Sequence, residues 1–125
     1  MSDLIFKKEE SYAIIGKCME VHNNLGSGFT EIVYKDALEF EFKESLIPFE
    51  REKKYNVHYK GIILPHHFYA DFVVYDQIIL EVKSAKVISG EFVAQTMNYL
   101  KVSGNSLAIV VNFGELSLKY KRIVL

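Results

Sequence analysis

Two spacings of apolar residues share this chain. Between residues 11 and 26, "SYAIIGKCMEVHNNLG" sets Ile14, Ile15, Cys18, Met19 and Leu25 at helical intervals. Ser11 suits an N-cap there and Gly26 a C-terminal stop. After Gly26-Ser27-Gly28 a second helix is predicted from Thr30 to Leu46, with Ile32, Ala37, Leu38, Phe40 and Phe42 as its apolar share. Pro48 forbids continuation. "FEREKKYNVHYKGIILPHHFYADFVVY" then predicts two strands turning near Lys60-Gly61, with Pro65 confined to an edge or loop. "QIILEVKS" is a third strand, and "SGEFVAQTMNYLKVSG" returns to helical period before stopping at Gly104. "SLAIVVNF" is an unbroken apolar run of strand length, expected to be covered on both faces. "LSLKYKRIVL" alternates and closes the chain.

The predicted order is ααβββαββ. A strand, a helix and then a buried strand imply a crossover and a parallel pair, hence an α/β fold with a mixed central sheet flanked by helices. Ligands on such sheets favour strand ends. At 125 residues, residues 1–125 are expected to form one domain with no need of disulfides or a structural metal. The single cysteine, Cys18, has no partner within the chain and falls on a helical apolar stripe. "MSDLIFKKEE" lacks the apolar core of a signal peptide and no stretch has the length of a membrane span, so a cytoplasmic protein without membrane contact is expected. Net charge is −1, which speaks against a general polyanion binder, but residues 1–50 carry −5 and residues 51–125 carry +4. That asymmetry permits a nucleic-acid-facing surface on the second half.

The chemistry concentrates in "DFVVYDQIILEVK", where Asp71, Glu81 and Lys83 interrupt apolar strands. Glu81 and Lys83 are two apart and share a face, with Val82 turned opposite. Asp71 reaches Glu81 only if the hairpin register allows. A two-residue turn at Asp76-Gln77 sets Asp71 opposite Val82, so the site requires a three-residue loop, a bulge or a bend near Asp71. Two carboxylates this close repel unless a positive charge sits between them. Lys83 answers in part. A divalent cation answers better, since Mg²⁺ takes one or two carboxylates, waters and a substrate phosphate, with the Val82 carbonyl as a further oxygen ligand. The chain holds three Glu-x-Lys triplets, but Glu41-Phe42-Lys43 lies on a helix and Glu52-Lys53-Lys54 in a polar run. Only Glu81-Val82-Lys83 is embedded in apolar strand. The competing reading is a hairpin with its polar side in water, or a buried ion pair.

Gln95 and Tyr99, i and i+4, share one face of the helix that follows the Lys83 strand. Glu31 opens the second helix, with Tyr34 one turn on; an acid there also suits the positive end of the helix dipole. His66-His67 follow Pro65 in an expected loop, where metal ligation is the weaker reading, while His22 and His58 read as surface or boundary residues. Asn112-Phe113-Gly114 reads as the end of the buried strand.

"GSGFTEIVYKDAL" contains Gly28-x-x-Glu31-x-x-Tyr34 and so resembles the GxxExxY protein family. "GKCMEVHNNLGSGFTEIVYKDALEFEF", "YKG", "YADFVVYDQIILEVKS", "AQTMNYLKVSG", "VVNFG" and "KRIV" follow in the family's order, over nearly the whole chain. That family looks like a compact branch of the PD-(D/E)xK nucleases and is similar in its Gln-x-x-x-Tyr helix to RecB-type enzymes. The resemblance implies a restriction-endonuclease-like core, Asp71 and Glu81 as metal-binding acids and Lys83 as the motif lysine. It further implies Glu31 as a helix acid beside the metal, with Gln95 and Tyr99 as the helix pair. The motif proline before the first Asp is here Ala70.

The expected activity is Mg²⁺- or Mn²⁺-dependent phosphodiester hydrolysis of nucleic acid, DNA before RNA. A non-catalytic nucleic-acid-binding or protein-interaction module is the alternative. Lys53, Lys54, Lys86 and Lys101 are the candidate phosphate contacts, each weighed against an ordinary solvated lysine. A homodimer is compatible with so short a chain, although no residue pattern specifies one.

Overall fold

The computed structural model describes residues 2–125, with side chains from Lys7 onward. Helices α1 (Ser2–Leu25) and α2 (Glu31–Glu44) precede strands β1 (Phe49–Tyr59), β2 (Ile62–Val74) and β3 (Ile78–Lys83). Helix α3 (Gly90–Ser103) leads to β4 (Leu107–Asn112) and β5 (Lys119–Val124). The five strands lie in sequence order; β3 and β4 are parallel and the other neighbours antiparallel. The mixed α/β architecture is therefore the expected one, including the parallel pair across α3.

The sheet separates two apolar layers. On one face Ile14, Cys18 and Val21 of α1 and Tyr34, Leu38 and Phe42 of α2 pack on Phe72, Leu80, Val82, Ile109 and Val111. On the other, Leu100, Val93 and Met97 of α3 cover Ala70, Val73, Ile79, Ala108 and Val110. All six residues of β4 are buried, as an apolar run covered on both faces should be.

Three local expectations fail. Ser11 is no N-cap: α1 already runs from Ser2, and the buried Ser11 hydroxyl donates to the Lys7 carbonyl at 2.7 Å. His66 and His67 lie within β2, not in a loop. The strand tolerates Pro65 because its pairing with β1 shifts between Asn56 and His58, and β3 pairs only with Phe72–Val74. His22 is buried, its Nε2 2.9 Å from the Glu115 carbonyl and its ring beside Phe113.

Candidate active site

The hairpin register that the site requires is present. Val74 pairs with Ile78 across the three-residue loop Tyr75-Asp76-Gln77, which aligns position 71 with 81. The ladder stops at Phe72 and Leu80. Beyond it the two acids bridge the strands: the Asp71 amide donates to Glu81 Oε2 and the Val82 amide donates to Asp71 Oδ2, both at 2.8 Å. Strand alternation breaks here too. Ala70 and Val73 pack on the α3 side while Phe72 and Val74 pack beneath α1 and α2. On β1 the facing residue, Glu52, has a φ of +55° and drops out of the pairing. Such irregularities re-aim side chains.

Glu81 is 4% exposed, and burial followed by the charge of Asp71 pushes its carboxyl up to about 8. The Asp71 amide, Lys83 and Lys35 oppose that rise incompletely. Lys35, on α2, is the residue that sequence reading missed. Its ammonium lies 3.0 Å from Asp71 Oδ1 and also pairs with Glu52. Burial alone lowers the Lys35 pKa, but the hydrogen bonds and charges of Glu52 and Asp71 outweigh it and raise the ammonium's pKa. Its helical register was the available signal, because Lys35, Leu38 and Phe42 fall on one stripe and all three are buried.

Lys83 follows Glu81 on β3, half-buried, with its ammonium 4.8 Å from the Phe92 ring centroid. Tyr99, on α3, lies within the electrostatic reach of the acids. Its phenol pKa is raised by burial and then by Glu81 and Asp71, while a hydrogen bond from Gln95 works against the rise. The i, i+4 pair and the carboxylates thus share one neighbourhood.

Glu31 stands apart. It is exposed at the first turn of α2 and lines an open cleft of about 730 Å³ with Gly28, Ser84, Lys86 and Gly114. Its walls include neither Asp71 nor Glu81, although Ser84 directly follows the Lys83 end of β3. Tyr34 explains how Glu31 is held. Its hydroxyl donates to the Gly26 carbonyl at 2.6 Å and accepts from the Phe29 amide at 3.2 Å, and its ring stacks on Phe113 at 4.4 Å. Gly28, at φ +120°, completes the turn into α2 in a conformation that favours glycine. Asn112 clamps the other wall: its amide oxygen accepts from Ala85 and Gly114, and its nitrogen donates to the Ala85 carbonyl.

The candidate phosphate contacts scatter. Lys53 pairs with Glu50 at 3.5 Å and sits over Tyr55; Lys54 is exposed on β1; Lys86 lines the cleft; Lys101 is exposed in the last turn of α3. Cys18 is fully buried, its thiol pushed up to about 12 by desolvation, and has no nucleophilic role.

Among the described residues no three His, Cys, Asp or Glu side chains converge to hold an ion. Asp71 and Glu81 nevertheless suit a hard divalent cation. Each commits one oxygen to a backbone amide, which leaves Asp71 Oδ1 and Glu81 Oε1 for a cation, and an ammonium already stands against Asp71 Oδ1. Among the described residues, no helix is long and apolar enough to cross a membrane.

No curated protein matches the chain. Among solved structures, one described as "Crystal structure of SSO0001" is similar at a TM-score of 0.59 and 18% identity, a likeness of fold. The match covers 74% of this chain and 48% of that one, so this chain spans about half its length. The sequence profile of the PD-(D/E)XK nuclease superfamily matches residues 8–123, which takes in both acids, the lysine and the helix pair. A mixed sheet with opposed acids at its broken hairpin, matched along almost the whole chain, has one family reading: this protein belongs to the PD-(D/E)XK nuclease superfamily.

Proposed function

We propose that this protein is a metal-dependent phosphodiester hydrolase acting on nucleic acid, DNA before RNA, within the GxxExxY branch of the superfamily. The observation that supports it is the opposed pair Asp71 and Glu81, with Lys83 two residues along the same strand.

Asp71 and Glu81 would hold Mg²⁺ or Mn²⁺, with the Val82 carbonyl as a third oxygen and Glu31 acting from the cleft, through water or toward a second ion. Held there, the ion would supply Lewis acidity at the phosphoryl oxygen and make water more acidic. Lys83 orients that water and offsets the negative charge that develops on the phosphate. Gln95 and Tyr99 hold the scissile backbone against the acids. Lys53, Lys54, Lys86 and Lys101 contribute phosphate contacts beyond the reacting centre.

Labelled single- and double-stranded oligonucleotides with Mg²⁺ or Mn²⁺ test the reading. Lys83→Ala and Asp71→Ala should each abolish cleavage, and unchanged cleavage in both would assign the activity elsewhere. The Lys35–Asp71 ion pair is the feature that favours a non-catalytic module, since it already neutralises one acid. Calorimetry separates the two: Mn²⁺ should bind wild type and not Glu81→Ala, whereas no binding to either favours the module.

A further inference from the structure

β3 ends at Lys83, but β1 and β2 continue past it as a two-stranded ribbon. Beyond the end of β3, residues 62–68 extend the ribbon by roughly 20 Å at about 3.3 Å per residue. Lys60 and Gly61, at φ +48° and +83°, form its two-residue turn. The base is fixed rather than loose. Tyr55 stacks on Phe68 at 5.3 Å, and Phe68 on Tyr99 at 4.0 Å, so the ribbon is anchored to the helix that faces the acids.

The ribbon is basic along its length. Glu52 and Asp71 bracket it, and between them residues 53–70 contain no acid while carrying Lys53, Lys54 and Lys60. With histidines neutral the segment carries +3, so the rest of the chain carries −4 against the whole chain's −1. Toward its tip Tyr59, Ile62 and Ile63 are 55–58% exposed. A basic stalk with an apolar tip is complementary to nucleic acid, and unlike the basic edge strand β5 it projects beyond the sheet. The major groove of a duplex, about 12 Å wide, admits a two-stranded ribbon, and apolar side chains there contact thymine methyl groups.

We infer that the β1–β2 ribbon is an arm that grips duplex nucleic acid, with Lys54 and Lys60 on phosphates and Ile62 and Ile63 at the bases. This rests on the nucleic-acid reading above but concerns binding, not cleavage. The test is anisotropy of a labelled 30-base-pair DNA duplex with the full chain in EDTA, over a range of KCl concentrations. Lys54→Gln/Lys60→Gln should weaken binding at least tenfold and make the slope of log K against log salt shallower by about two. Lys119→Gln/Lys121→Gln, an equal charge change on the far edge strand β5, should alter affinity less than twofold. Ile62→Ser/Ile63→Ser should weaken duplex binding without changing the salt slope.

Equal losses from the ribbon and β5 variants would overturn the arm, as would unchanged binding in all three. A tip variant that binds DNA normally but elutes as a smaller species would make the tip a contact between copies and also overturn it. Tighter binding of the single strand than of the duplex would refute the duplex assignment. Absence of Mg²⁺-dependent cleavage with arm-dependent binding intact would sink the hydrolase reading alone.

Discussion

Replacing Glu81 by Gln should change how the stability of the metal-free protein depends on pH. Burial and the facing charge of Asp71 move the Glu81 carboxyl from its ordinary 4.5 to about 8. A proton held more tightly in the folded than in the unfolded chain stabilises the fold. That contribution is complete below pH 4.5 and is lost as pH rises through 8. At 1.36 kcal/mol per unit the full loss is about 5 kcal/mol, of which about 4 falls between pH 5 and pH 9. Glu81→Gln keeps an oxygen for the Asp71 amide but has no proton to lose. In EDTA, urea unfolding of wild type across pH 5–9 should therefore lose about 4 kcal/mol relative to Glu81→Gln. Saturating Mn²⁺ should flatten the wild-type curve, because a cation stabilises the ionised carboxylate. At pH 7, calorimetry in buffers of different ionisation enthalpy should show close to one proton released per Mn²⁺ bound. Parallel stability curves for the two proteins in EDTA would refute this account of the acidic pair.

Two other changes follow from contacts at the site. Lys35→Met removes the ammonium shared by Asp71 and Glu52; in EDTA it should cost about 3 kcal/mol, the low end for breaking a buried pair. It should also tighten Mn²⁺ binding by about tenfold, a factor equal to about 1.4 kcal/mol of competition relieved at Asp71 Oδ1, and equal or weaker binding by calorimetry would contradict it. Gly114→Ala places a Cβ 2.5 Å from the Ala85 backbone nitrogen, where no flexible side chain can yield. Its thermal melt should report about 2–3 kcal/mol of destabilisation, and a wild-type melting temperature would show that the connector after β3 shifts without cost.

The element order was legible because apolar period and turn residues agree along most of the chain. The acidic pair was legible for a related reason: isolated charges stand out only where the surrounding strand is apolar, as at Asp71 and Glu81 and not in the polar run around Glu52. What failed lay where one local rule was overridden. The charged run Lys7–Glu10 separates Leu4-Ile5-Phe6 from the apolar stripe that resumes at Ile14, so the start of α1 is hidden in the sequence. Pro65 admits an edge or a loop; the edge forms, with β1 alone beside β2 there, and so His66 and His67 fall within the strand. His22 completes the i, i+4 series from Ile14 and Cys18, a spacing that predicts burial, although its residue type suggests a surface or boundary position. Lys35 was hidden by its type, because a lysine on a helix is ordinarily solvated. The left-handed backbone at Glu52 has no glycine to announce it.

The irregularity at Glu52 and Asp71 also explains why site and ribbon occur together. A regular ladder would satisfy the amides of Asp71 and Val82 with backbone carbonyls and leave two carboxylates unsupported in an apolar sheet. Where the ladder stops, those amides turn to the carboxylates, and each acid gains a donor that offsets part of its desolvation. The strand alternation breaks at the same point, so Phe68 meets Tyr99 of α3 and the ribbon leaves the sheet with its base stacked on the helix beside the acids. The acids and the base of the arm thus share one break in strand alternation at Asp71, and a change that restores the alternation should weaken cation binding and duplex binding together.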